Sequence, residues 1–199
     1  MFSGLIAYRG TIAAVEPLDG GGATVRVHTE GVGRERPEVK DSIAIDGVCL
    51  TATAIDDDTI SFDVVPETLA RSTLGERRAG ERVNVEYSLR IGDRMGGHFV
   101  YGHVDAALRV LARTPEGQGA RVRIERPPAL AFGIVEKAFI AIDGVSLTIA
   151  AAGDDWFEIA LIPETLARTT LGKRHAGSVV NVELDPLARY VRSALVTPA

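Results

Sequence analysis

The chain has 199 residues, 46% apolar and 25% charged, with a net charge of −5 and acids and bases mixed along its length. That balance argues against a disordered chain and gives nucleic-acid binding no support, and it leaves enough apolar material for a core without metal or disulfide staples. The single cysteine, Cys49, suits a reducing cytosol, and neither a signal-peptide pattern nor an apolar run of about 18 residues is expected to lead the chain into or across a membrane.

In chain order, the glycines Gly20, Gly21 and Gly22 read as a loop and not a phosphate cradle, because no helical pattern follows them. TVRVHTE reads as a strand, with His28 in it as a solvated or structural residue. IAIDGVCLTATAI alternates on both sides of Asp46-Gly47, which predicts a tight hairpin. Asp56, Asp57 and Asp58 mark the next turn, and TISFDVV then puts Ile60, Phe62 and Val64 on one face. PETLARSTLG predicts a helix of one to two turns, with Pro66 in the first turn, Glu67 favoured by the helix dipole and Gly75 as a C-terminal stop. GERVNVEYS is a further strand, and SLRIGDRMGGH, with three glycines, reads as linker and turn.

After the linker the pattern repeats. A shift of 97 residues carries PETLARSTLG onto PETLARTTLG, AIDGVCLT onto AIDGVSLT, the first VNVE onto the second, and Lys40 onto Lys137. Near the start of each half the shift is 98, placing Gly4 on Gly102. Two copies are too few for a solenoid and suggest tandem domains. We expect an N-terminal domain over 1–88, a linker over 89–97, a C-terminal domain over 98–186 and a helix and tail over 187–199. Short strands, regular turns and one small helix per unit predict an all-β chain of two small antiparallel barrels. In the tail, Leu187, Tyr190, Val191, Ala194 and Leu195 follow helical spacing after Pro186. A stripe of that kind outside two closed barrels calls for a partner surface, and self-association is the economical expectation.

MFSG, SIAIDGVCLT, GGHFVYGHVD, AIDGVSLT, IPETLARTTLG and NVELDP, in this order and over nearly the whole chain, resemble the riboflavin synthase alpha-chain family. The resemblance implies two six-stranded Greek-key barrels and a C-terminal helix that joins three chains. It implies dismutation of two 6,7-dimethyl-8-ribityllumazine molecules, one giving four carbons to the other, to yield riboflavin and 5-amino-6-ribitylamino-uracil. No metal or organic cofactor is implied. The active site would lie between the N-terminal barrel of one chain and the C-terminal barrel of its neighbour, and lumazine synthase, which acts in the preceding step, is a candidate partner. A non-catalytic lumazine-binding antenna protein is the alternative, although both halves here keep the binding wording.

Carried over to this sequence, the first pocket would use Gly4, Leu5 and Ile6, then Cys49, Leu50 and Thr51, then Asp63, Val64, Val65, Pro66, Glu67 and Thr68. The second would use Gly102, His103 and Val104, then Ser146, Leu147 and Thr148, then Ala160, Leu161, Ile162, Pro163, Glu164 and Thr165. Lys137 matches a family lysine that reaches a ligand on another chain. Positions where the copies differ should separate two roles: Cys49 against Ser146, Leu5 against His103, Ser88 against Asp185 and Phe2 against Val100. The acidic 7-methyl group of the lumazine must lose a proton. His103 is the proton-transfer candidate, with Ser146 and Asp185 assisting it, Cys49 and Phe2 shaping the opposite site, and His98 a further polar candidate near the entry. Asp185 could also cap the last helix. Asp46 and Asp143 read as turn formers, and His175 as a solvated residue. Tyr101, Ala106, Ala107, Ala138 and Phe139 depart from the family's usual wording around the second pocket.

Overall fold

The computed structural model describes residues 1–29 and 37–196; residues 30–36, and 197–199 of the predicted tail, lie outside the described part. The first barrel is built from β1 (Tyr8–Pro17), β2 (Ala23–Thr29), β3 (Ser42–Ile45), β4 (Val48–Asp56), β5 (Thr59–Val64) and β6 (Arg82–Tyr87). The second uses β7 (Ala106–Glu116), β8 (Gly119–Glu125), β9 (Phe139–Ile142), β10 (Val145–Ala152), β11 (Trp156–Leu161) and β12 (Val179–Leu184). The first closes in the order β1-β2-β5-β4-β3-β6, and the second repeats it as β7-β8-β11-β10-β9-β12, every pair antiparallel. Four register shifts at matching places, such as Ile12/Ala14 and Val110/Ala112, bend the strands as bulges do and let so small a sheet close.

Alternation fills each barrel. Ile12, Val25, Val27, Ile60, Phe62 and Val85 are buried in the first, and Val110, Val122, Ile124, Phe157, Ile159 and Val182 in the second. Each Asp-Gly hairpin has positive φ at both central residues, 44° and 77° for Asp46-Gly47 and 46° and 80° for Asp143-Gly144. That is the primed turn matching strand twist. The turns also meet back to back: a Cβ on Gly47 would lie 2.5 Å from the Gly144 amide nitrogen.

The two turns form the centre of the barrel junction. Asn84 accepts from the Thr170 amide at 2.8 Å and donates to the Asp143 carbonyl at 2.8 Å. Asn181 does the same with Thr73 and the Asp46 carbonyl, each at 2.8 Å. Asp46 and Asp143, both fully buried, pair with Arg77 and Arg174, each at 2.7 Å. So the two aspartates are turn formers, but they also pair with two arginines between the barrels. Burial first, and the facing Asp143 second, push the Asp46 carboxyl up to about 7, against the pull of the arginines.

The helix α1 (Pro66–Arg71) is followed by a short 3-10 turn at Thr73–Glu76, and α2 (Pro163–Arg168) by one at Thr170–Lys173. Gly75 is therefore not the expected helix stop, because α1 already ends at Arg71 and Ser72 bonds back to the Thr68 carbonyl. Glycine is needed at 75 for proximity: a Cβ there would approach the Leu69 carbonyl oxygen to 2.7 Å. The last helix, α3 (Pro186–Val196), starts where the sequence predicts. Asp185 caps it, its Oδ1 accepting from the Leu187 amide at 3.0 Å. Leu187, Tyr190, Val191 and Leu195 of its stripe are all more than half exposed.

Candidate functional site

Before each barrel runs a strap of irregular chain, 1–7 and 99–105. The two straps cross. Phe2 and Val100 exchange backbone hydrogen bonds of 2.7 and 3.1 Å, and both are buried with Ala44 and Ala141. Phe2 therefore does not shape a pocket, as the sequence suggested; it is a core residue where the straps meet.

Beyond the crossing each strap lies on the other barrel. The Gly4 carbonyl accepts from the Ser146 amide at 2.8 Å, and the Gly102 carbonyl from the Cys49 amide at 3.0 Å. Ile6 packs against the second barrel's core and Val104 against the first's. This corrects the expected grouping: Gly4, Leu5 and Ile6 belong with Ser146, and Gly102, His103 and Val104 with Cys49. The physical reason is that a segment ahead of the first strand has no hydrogen-bonding edge of its own, and the paired bridge at Phe2 sends it onward to the neighbour.

A buried glutamate fixes each strap. Glu86 of β6 accepts from the Ser3 amide and hydroxyl, each at 2.8 Å, and from the Gly4 amide. Glu183 of β12 accepts from the amides of Tyr101 and Gly102, one on each oxygen, both at 2.8 Å. Burial raises both carboxyls above the ordinary range, and the strap amides work against that rise. Sequence reasoning missed these two. The repeated VNVE was the available signal, since an acid in an alternating strand faces either water or a fixed donor set.

The exchange produces two cavities at equivalent places. The first, about 330 Å³, is lined by Cys49, Thr68, Gly102, His103 and Val104, with Glu67, Arg71, Asp105 and Arg189 around them. Arg189 of α3 bonds the His103 carbonyl at 3.1 Å and Asp105 at 2.8 Å, so the last helix reaches this wall. The second, about 440 Å³, is lined by Leu5, Lys137, Phe139, Ser146, Leu147, Thr148, Ala160, Ile162 and Thr165. Such volumes suit a small flat ligand.

Several expected residues stand apart from the cavity walls, although Glu67 and Lys137 remain on them. Leu50, Val64 and Leu161 point into the barrel cores. Asp63 accepts from Thr24 at 2.8 Å on the exposed face of β5. Thr51 and Val65 are exposed. Pro66 and Pro163 open their helices, and Glu164 pairs with Arg168 as Glu67 does with Arg71. Lys137 is three-quarters exposed at a positive φ of 68°.

The two histidines are not placed as the sequence paired them. His103 stands by Cys49, its ring 5.8 Å from Tyr101, away from Ser146. His98 takes the place expected of it: its Nδ1 lies 2.6 Å from Ser146 Oγ. It is buried, stacks on Phe139 at 5.1 Å between centroids, and leaves Nε2 without a partner among the described residues. Burial lowers its pKa, and nearby Asp185 offsets part of that. A neutral imidazole behind a hydroxyl on the cavity wall can take up or pass on a proton.

The family described as Lumazine binding domain matches residues 3–88 and 101–185. The riboflavin synthase of Mycobacterium bovis is 44% identical over 198 residues, covering 96% of each chain. That of Chlamydia pneumoniae is 42% identical, covering 93% of this chain and 90% of its own. Among solved structures, LumP complexed with 6,7-dimethyl-8-(1'-D-ribityl) lumazine superposes with a TM-score of 0.83 at 27% identity, over 92% of this chain and 99% of that one.

Proposed function

Because the chain belongs to the riboflavin synthase family, we propose that its two cavities each hold one 6,7-dimethyl-8-ribityllumazine and that the protein joins them in a dismutation. One molecule gives up four carbons and leaves as 5-amino-6-ribitylamino-uracil; the other accepts them and leaves as riboflavin. The observation that carries this reading is the pair of equivalent cavities, each completed by the other barrel's strap. Holding two copies of one reactant removes much of the entropy cost of a bimolecular step.

The chain's own groups divide the work. In the second cavity Ser146, backed by His98, faces the ligand and handles the proton of its acidic methyl group, with Asp185 tuning the imidazole. In the first, Cys49 and His103 line the wall, and Thr68 and Thr165 offer one hydroxyl to each ligand. The catalytic list from the sequence thus becomes Ser146 and His98 in one cavity and Cys49 and His103 in the other. We place both donor and acceptor roles between neighbouring chains. The exposed stripe of α3 and the apolar rim of the second cavity, with Leu5, Phe139 and Ile162 at 52%, 44% and 61% exposure, support a homotrimer that brings a second-barrel cavity against a first-barrel cavity. Lys137 then reaches across to the neighbour's ligand. A cytosolic location, and association with lumazine synthase, belong to the same proposal. Among the described residues no helix is long and apolar enough to cross a membrane.

Incubating the protein with 6,7-dimethyl-8-ribityllumazine alone and following riboflavin fluorescence tests the activity. Binding of the compound without any riboflavin would instead assign the chain to antenna proteins of the LumP kind. Deleting residues from Pro186 onward should lower the mass in solution; a trimer that survived the cut would refute the role of α3.

A further inference from the structure

A third cavity, of about 420 Å³, opens at the junction of the barrels away from both lumazine cavities. Arg9, Arg77, Arg82, Lys173 and Arg174 line it against one carboxylate, Glu81. The whole chain carries a net charge of −5, so this concentration of cations runs against the background. Clustered like charges in a cleft focus a field that an anion relieves. Arg77 and Arg174 are held by Asp46 and Asp143. Arg9 and Lys173 have no carboxylate partner among the described residues. Two donors are also unspent: Thr170, 6% exposed, has a buried Oγ1 with no partner among those residues, and so does Arg77 Nε.

The duplication supplies an internal control. Arg9 lies opposite Asn84 in the β1–β6 register as Ala107 lies opposite Asn181 in the β7–β12 register. Lys173 closes the 3-10 turn that Glu76 closes in the first half, and Arg82 holds the place of Val179. At the equivalent positions across the junction, only Arg174 and Arg77 remain as cations, and Glu76 opposes them. The same fold is thus built without Arg9 and Lys173, and their convergence on one face is not a requirement of the barrels.

We propose that this cavity binds a phosphate dianion, free or as the monoester of a small molecule, through Arg9 and Lys173 with the Thr170 hydroxyl. Guanidinium and ammonium groups make charge-assisted bonds to phosphate oxygens, and a guanidinium can do so with two donors. The volume exceeds what a phosphate alone fills, which leaves room for an organic part. An anion here touches β1 of one barrel and the turn after α2 of the other, so it bridges the junction and stabilises the folded chain by mass action.

Calorimetric titration of the full chain with ribose 5-phosphate, inorganic phosphate and uncharged ribose tests this, with riboflavin saturating the other two cavities. One saturable site per chain for a phosphate compound, and none for ribose, is expected, together with a rise in melting temperature. Tighter binding of ribose 5-phosphate assigns the site to an ester, and equal binding assigns it to free phosphate. Arg9→Ala and Lys173→Glu install the residues that the duplicate carries. Each should weaken binding at least about tenfold, as loss of a charge-assisted contact does, and leave riboflavin formation unchanged. The proposal is overturned by absence of saturation at millimolar concentrations, by equal affinity in both variants, or by loss of binding when riboflavin is added. Because the readout is binding, it stands or falls separately from the dismutation.

Discussion

His98 Nδ1 sits 2.6 Å from Ser146 Oγ, and nothing among the described residues meets the other ring nitrogen. Burial holds this imidazole below its ordinary pKa, which favours its neutral form, while Asp185 works against that. Ser146→Ala should therefore lower kcat by about 10²-fold, the scale of a single general-base contribution, with a smaller effect on KM. His98→Asn should do the same. The acid limb of kcat against pH should lie below the usual imidazole range and vanish in His98→Asn. A limb unmoved by that substitution would remove His98 from proton transfer. The same shift acts on stability. A depressed histidine contributes stability above its unfolded pKa of about 6.5 that is lost as pH falls through the folded value.

Glu183 gives one oxygen to the Tyr101 amide and the other to the Gly102 amide. Glu183→Gln must turn its NH2 toward one of them, leaving a buried donor unmet at a cost of about 1–3 kcal/mol. The strap it holds completes the first barrel's cavity although Glu183 belongs to the second barrel. Ligand titration should then show one weakened site, the one containing Cys49, while Glu86→Gln should weaken the one containing Ser146. Loss at the glutamate's own barrel in either variant would contradict the exchange of straps.

The duplication, the two all-β units, the Asp-Gly hairpins and the terminal helix were legible because they are local: period-2 alternation, turn chemistry and repeated words act over a few residues. The exchange of straps was not. A shift of 98 aligns Gly4 with Gly102 but cannot say which barrel either glycine touches, since both choices preserve the repeat. For the same reason Phe2, read as a pocket wall, became the strap crossing, and the histidine beside Ser146 became His98 and not His103. Glu86 and Glu183 were missed because their partners are backbone amides, which carry no sequence identity. Arg9 and Lys173 were legible only as departures from the repeat.

Gly47 and Gly144 meet backbone to backbone, with φ of 77° and 80°. Alanine at either place pays for a left-handed backbone, about 1–2 kcal/mol, and also drives a methyl into the opposite turn at under 3.0 Å. Gly47→Ala should destabilise the chain by more than about 2 kcal/mol in urea unfolding. Gly80→Ala, at φ 90° with open space around it, should cost only the conformational part. Equal losses in the two variants would mean that the turns do not press on one another in solution.

Asp46 supplies the last test, because its charge is opposed by burial and by Asp143 while Arg77 and Arg174 favour it. Its carboxyl, pushed up to about 7, compares with about 3.9 in an unfolded chain. Between those values the folded state keeps a proton that the unfolded state has released. Stability from this group is therefore full below about pH 4 and falls as pH rises to about 7. Asp46→Asn keeps an acceptor for the Asn84 amide, bound at 2.7 Å, and removes the titration. The slope of unfolding free energy between pH 4 and 7 should become less negative in that variant. Arg77→Ala should act oppositely, since it leaves the Asp46 charge with one fewer partner. It should cost about 3–5 kcal/mol at pH 8, the scale of a broken buried pair, and less at pH 5, where Asp46 is protonated. A loss independent of pH would show that Arg77 acts through packing alone.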